Sequence, residues 1–338
     1  MKRGLLNLLV FAAAFLAVRG VISERTPERM KLAWLEAQKD EVDALFIGSS
    51  RVFRQIDPAR FDARMAAAGR PLRSLNMGMQ GMRFPETAYL VERILEMEPG
   101  RLEYLFLELS EFETDIEEEN RLTERLVYWH SWPVTWQLCR TVAAQDLPFG
   151  EKLARIEGHL VHWGHRFGNL GNGDEALRGL AGSDEADFEG RRTLGPDGNG
   201  YRSLSIERTA NFLERRRLFL EDLDQLRRAR ETLLAPDGDE PADAALVPVL
   251  ERLNALCAAR GVTPVYLVLP VIEKQTPLVR LHDAGLAPLL IRFDQPDAWP
   301  AFYQPRNRFD IHHLNAQGAA LMTDALADEL LRLVRAPG

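Results

Sequence analysis

The sequence predicts an α/β protein with a parallel sheet covered on both faces. Two observations carry that prediction: short apolar runs recur along the chain, and helical segments alternate with them. A third, the composition, agrees. With 338 residues, 46% hydrophobic and 27% charged, the chain has the make-up of an ordinary globular protein, long enough for one large core with an insertion or for two domains.

The elements follow in order. Lys2 and Arg3 precede an apolar stretch from Leu5 to Val18 that resumes briefly at Val21 and Ile22. A basic start before ~14 apolar residues suits a signal sequence, and Arg19 can snorkel to let Leu5 to Ile22 anchor the chain. No small-x-small cleavage site follows, so residues 1–23 read as an uncleaved signal anchor, a single pass of the inner membrane with Lys2 and Arg3 in the cytoplasm and the main domain in the periplasm or otherwise outside. Glu28 to Lys39 reads as a helix leading to a first strand, Ala44 to Ile47. Further strands are expected near Leu72 to Leu75, Tyr104 to Leu109, Val262 to Leu269 and Pro288 to Phe293, with helices at Glu86 to Met97 and Ala245 to Arg260. A last helix begins after Asn315 and runs through Ala319 to Val334.

Residues 114–243 are too many for a bare loop in a compact domain. They read as a helical insertion, a cap or partner-binding element, including the charged stretch Phe212 to Leu234. Residues 24–113 and 244–338 then form the sheet domain.

Several function classes are disfavoured. A net charge of −8 argues against nucleic acid as a partner, which would need a basic face. The glycine clusters at Gly168 to Gly173 and Gly195 to Gly200 neither follow a strand nor open a helix, so they do not read as phosphate loops. His159, His162 and His165 recur every three residues but spread over an arc of about 120° on a helix, and no carboxylate or cysteine completes a zinc site beside them. No cofactor and no metal is expected. Two cysteines, Cys139 and Cys257, make no disulfide framework and read as buried thiols. Tyr128, Trp129, Trp132 and Trp136 could stack on sugars but read first as core.

The chemistry-bearing residues sit at two distant places. Gly48-Ser49-Ser50-Arg51 follows the first strand, and Asp310-Ile311-His312-His313-Leu314-Asn315 precedes the last helix. A serine hydroxyl attacks an ester only when a base takes its proton and a carboxylate fixes that base's tautomer. Ser50 is thus the candidate nucleophile, His313 the base with His312 its rival, and Asp310 the orienting carboxylate. Asn76-Met77-Gly78-Met79-Gln80-Gly81, after the second strand, places a glycine where a bare backbone N–H can approach an oxyanion.

Together these motifs resemble the SGNH/GDSL hydrolase superfamily. Gly48, Ser49 and Ser50 match its first motif, Asn76 and Gly81 its second, and Asp310, His313, Asn315 and Gly318 its last. The resemblance covers the sheet domain and not the middle of the chain. It implies a flavodoxin-like three-layer sandwich, catalysis by Ser50, His313 and Asp310, an oxyanion hole from the N–H groups of Ser50 and Gly81, and a loop held by Asn76. Asn315 beside the histidine favours His313 over His312 as base.

One motif departs from the pattern: Phe112, flanked by carboxylates, stands where the family places an oxyanion-binding Asn after the third strand. Arg51 is expected either to bind an anionic substrate group or to pair with Glu108 or Asp310. With the apolar N-terminus, the chain looks most like the membrane-anchored envelope branch of the family. That likeness implies an esterase or O-acetyltransferase acting on an exported polysaccharide or small acyl ester, beside a multispanning membrane acyltransferase. The alternative is a non-catalytic scaffold in a polysaccharide acylation or export complex.

Overall fold

The computed structural model describes residues 26–118, 121–170 and 192–335, together with Leu6, Asn7, Val10, Phe11, Ala13 and Ala14. The signal-anchor reading of residues 1–23 therefore falls mostly outside the described residues. Among the described residues, no helix is long and apolar enough to cross a membrane. The chain divides into two compact units, Met1–Met30 with Thr114–Gly190, and Lys31–Glu113 with Arg191–Gly338.

In chain order the principal elements are α1 (Pro27–Glu36), β1 (Ala44–Ile47), α2 (Ser50–Gln55), α3 (Pro58–Ala67), β2 (Ser74–Asn76), α4 (Phe84–Glu96) and β3 (Tyr104–Glu108). There follow α5 (Glu124–Trp129), α6 (Trp132–Ala144), α7 (Phe149–Gly168), α8 (Ala210–Glu221) and α9 (Asp224–Leu234). The chain ends with α10 (Val247–Ala259), β4 (Thr263–Val268), α11 (Thr276–Asp283), β5 (Leu290–Arg292) and α12 (Ala316–Arg335). The charged helical stretch from Phe212 to Leu234 comprises two helices, separated at Asp222, where the backbone leaves helical geometry.

The sheet unit holds five parallel strands in the order β2-β1-β3-β4-β5, an α/β sheet with its order reversing beside β1. β1 pairs with β2 from Ala44↔Ser74 to Phe46↔Asn76 and with β3 from Ala44↔Tyr104 to Ile47↔Leu107. Every residue of β1, β2 and β3 is buried, as strands sandwiched between helical layers require. One face is filled by Phe46, Phe61 and Phe106, whose ring centroids lie 4.8–5.6 Å apart. α12 packs beside α3, and two surface arginines, Arg60 and Arg64, pair with its Asp324 and Asp328. Ligands of such sheets bind at the carboxyl ends of the strands where the order reverses, here the end of β1.

The expected insertion 114–243 divides at Gly190, because residues 191–243 are bound to the sheet unit. The Asn76 N–H donates to the Asn199 carbonyl at 2.9 Å, the Arg54 guanidinium forms a buried pair with Glu207 at 2.6 Å, and the Ala316 N–H that opens α12 donates to Ser205 Oγ at 2.9 Å. These are three separate attachments to β2, α2 and α12. A sequence pattern of Gly-rich connectors and charged helices carries no trace of them.

Candidate active site

β1 ends in Gly48, and the chain turns at once into α2, with Ser49 as its N-cap accepting from the Arg51 N–H at 3.2 Å. Gly48 is required there: a Cβ would lie 2.5 Å from Glu108 Cβ and 2.6 Å from Val52 Cγ2. The tight turn leaves Ser50 as the first residue of α2, half-buried, at the carboxyl end of β1.

The second arm comes from the loop before α12. Asp310 Oδ1 accepts the backbone N–H of His312 at 2.9 Å and of His313 at 2.8 Å, so the carboxylate folds its own loop before it touches an imidazole. Arg308 and Leu314 bridge across the loop's base. The Arg308 side chain, fully buried, donates to the carbonyls of Phe302 and Ile311 from inside; burial pushes its guanidinium down to about 10. Asn315 closes the turn by accepting the Gly318 N–H at 3.0 Å and donating to the Arg306 carbonyl at 2.6 Å, which caps α12.

These two arms meet. Ser50 Oγ lies 2.8 Å from His313 Nε2, and His313 Nδ1 lies 2.9 Å from Asp310 Oδ1. Burial opposes ionisation of Asp310, but the hydrogen bond and charge of His313, with the Arg215 guanidinium, outweigh it and hold the carboxyl at about 2. Asp310 is thus a pure acceptor at neutral pH, which puts the proton on Nδ1 and leaves the Nε2 lone pair facing the Ser50 hydroxyl. His312, the rival, is exposed, and its ring centroid lies 6.4 Å from that of His313.

The loop after β2 is fastened beside this pair. Asn76 Nδ2 donates to the carbonyls of Val52 and Ile56, both at 2.8 Å, while its Oδ1 accepts the Gly78 N–H at 2.9 Å. The Met79 N–H donates to the Gly48 carbonyl at 2.9 Å, joining the loop to the turn that carries Ser50. Gly81 follows two residues later, exposed, with φ +63°, a left-handed conformation that glycine adopts without strain. Among the described residues, neither the Gly81 nor the Ser50 N–H meets an acceptor of the protein.

Arg51 pairs with Glu108, the last residue of β3: Nε donates to Oε1 at 2.6 Å, and the other carboxylate oxygen accepts the Ser49 N–H at 2.6 Å. Glu108 is thereby a brace for the turn that carries Ser50. Phe112, in place of an amide donor, is 5% exposed, and its N–H faces Asp243 at 3.4 Å.

Two contributors were invisible in the sequence. Lys31, buried in α1, donates to the carbonyls of Asn76 at 2.9 Å and Gly78 at 2.7 Å. Arg215, in α8, donates to Asp310 Oδ2 and lies 3.2 Å from His313 Nδ1, two donors sharing one carboxylate. The run Arg215-Arg216-Arg217 was the sole signal for the latter, and a run of basic residues on a helix is ordinarily a solvated face.

Elsewhere, His159 Nε2 lies 2.9 Å from the Thr114 carbonyl, and His162 Nδ1 lies 2.7 Å from that of Gly158 while its Nε2 accepts the Leu122 N–H at 3.0 Å. Among the described residues no group of three metal-ligating side chains is assembled. Tyr128 and Trp129 are buried, whereas Trp132 and Trp136 are about half exposed, so the aromatic cluster read as core divides in two. Both cysteines are free; Cys139 is half-buried and Cys257 buried, with burial pushing its thiol up to about 11. Compared with known proteins, the chain matches no family model and no curated protein sequence.

Proposed function

We propose that the chain is an SGNH-type serine acyl-ester hydrolase or O-acyltransferase working through an acyl-Ser50 intermediate. The observation that carries this reading is the relay Ser50 Oγ, His313 Nε2, His313 Nδ1, Asp310 Oδ1, with contacts of 2.8 and 2.9 Å. In the first step His313 Nε2 takes the Ser50 proton as Oγ attacks the ester carbonyl. Asp310 stabilises the imidazolium, and the N–H groups of Ser50 and Gly81 donate to the oxyanion. The tetrahedral intermediate collapses with transfer of the Nε2 proton to the departing alcohol. A second acceptor, water or a sugar hydroxyl, then loses its proton to Nε2 and takes the acyl group, and Nε2 returns that proton to the departing Ser50 Oγ.

The substrate class, location and partner of this reading rest on the sequence: an acetylated envelope or exported polysaccharide, outside the inner membrane, with a multispanning acyltransferase as neighbour. One observation favours the second reading, a scaffold that keeps the fold without turnover. Phe112 supplies no side-chain donor, and loss of one oxyanion donor typically costs roughly 3 kcal/mol in the transition state.

Covalent labelling by a serine-directed phosphonate, read by peptide mass spectrometry, separates the two. Near-stoichiometric modification of Ser50, kept in His312→Ala and lost in His313→Ala, is the expected result. A folded protein whose Ser50 does not react supports the scaffold.

A further inference from the structure

α7 is amphipathic with its faces reversed. Phe149, Leu153, Ile156, Leu160, Trp163 and Phe167 follow at intervals of four and three residues, which sets them on one stripe of a helix about 30 Å long. That stripe faces out: Phe149 is 76% exposed, Leu153 and Phe167 51% and Leu160 41%, while the helix's buried residues are His159 and His162. No charged residue falls among those positions.

The stripe widens onto α6. The Trp132 ring stacks near Trp136 at 6.1 Å and packs at 5.0 Å against Trp163, which in turn meets Phe167 at 5.7 Å. Trp132 and Trp136 remain 50% and 53% exposed. Soluble surfaces carry single exposed apolar residues, whereas a contiguous patch of this kind marks a surface with an apolar occupant.

We infer that this face of the helical unit seats in the surface of a lipid bilayer. The same compact unit contains the N-terminal segment, whose run from Leu5 to Val18 behind Lys2 and Arg3 has membrane-insertion chemistry. Leu6, Val10 and Phe11 of that segment are themselves 59–68% exposed. A segment of that chemistry brings its unit to a bilayer, whose interface suits an apolar face that carries indole rings. Trp-rich composition agrees, since indole rings favour the membrane–water interface, and a helix in that plane buries its apolar side by roughly 5–10 Å. The inference does not depend on Ser50 being a nucleophile.

The test uses the full chain with vesicles of phosphatidylethanolamine and phosphatidylglycerol, with and without bromine on the acyl chains. Tryptophan emission is quenched by brominated lipid in the wild type. The quenching is mostly lost when Trp132, Trp136 and Trp163 are all replaced by Phe, which leaves Trp34, Trp129 and Trp299 as internal references. Leu153→Lys with Leu160→Lys, at exposed positions, abolishes it too while circular dichroism and the unfolding temperature hold. Failure of the wild type to bind vesicles, or binding with the three tryptophans unquenched, overturns the proposal. Sedimentation as a dimer that the double lysine variant converts to monomer also overturns it, naming a second copy as the occupant.

Discussion

In the sheet unit, Lys31, Asn76, Glu108, Arg308 and Asp310 are buried polar groups whose bonds fix the three loops around one hydroxyl, Ser50 Oγ. In the helical unit, His130 and His159 are as deeply buried, but their bonds run between backbone carbonyls: Leu126 to His130, His130 to His159 at 3.1 Å, His159 to Thr114. Buried polar networks alone do not mark a site. A network that ends on a reachable hydroxyl is arranged for proton transfer, whereas one closed on carbonyls at both ends holds helices together. The closed network is also short of protons. Three contacts along two imidazoles call for three N–H groups, and a neutral pair supplies two.

The largest effect that tests this contrast is in the open network. Asp310→Asn keeps the shape but can offer its N–H to Nδ1, favouring the wrong tautomer, and should lower ester turnover or phosphonate labelling roughly 10⁴-fold. His130→Asn should leave the labelling rate of folded protein unchanged. A comparable loss from both would mean that the histidine network also feeds the site.

The closed network should appear in the pH dependence of stability instead. Burial holds His130 well below the usual imidazole range and His159 at about 4. Between about pH 6.5 and 4 the unfolded chain binds protons that the native state does not, so stability falls as the pH falls through that window. His159 alone contributes about 3 kcal/mol of loss by pH 4. Urea titrations from pH 7 to pH 4 should show it, and His159→Gln should flatten the slope. If the native pair instead retains the third proton, the slope will be shallow in the wild type already.

Next in size is the turn that carries Ser50. Gly48→Ala drives a methyl into Glu108 and Val52, and overpacking of this kind costs about 1–3 kcal/mol. The denaturation midpoint should drop, and labelling of Ser50 should slow in protein that is still folded, because Glu108 also holds the Ser49 N–H. An unchanged labelling rate would mean that the turn does not need its brace.

Much of the sheet unit was legible because its signals are local. The run Ala44 to Ile47 is β1 to the residue, and the expected strand at Tyr104 to Leu109 ends one residue earlier, at Glu108. Ser50, Asn76, Asp310 and His313 were readable because a turn, a cap and a short loop each demand particular residues at fixed spacing. The end of the insertion was illegible because the bonds that settle it join Asn199 to Asn76 and Glu207 to Arg54, more than a hundred residues apart. The reversed faces of α7 were illegible for a different reason. Helical periodicity shows that an apolar stripe exists and carries no information on which side is covered.

Arg215 is the smallest test and the most discriminating, since it reaches the open network from a helix that the sequence placed outside it. Its side chain is 37% exposed, so solvent and salt screen its charge, and Asp310 keeps two backbone donors without it. Arg215→Met should therefore slow Ser50 acylation only about tenfold, equivalent to ~1.4 kcal/mol, with Arg215→Lys recovering part of the loss because it restores the charge without the planar fork. The gap between wild type and Arg215→Met should narrow as salt is raised. A gap indifferent to salt would assign Arg215 to packing of α8, and the sheet unit's network would then end at Asp310.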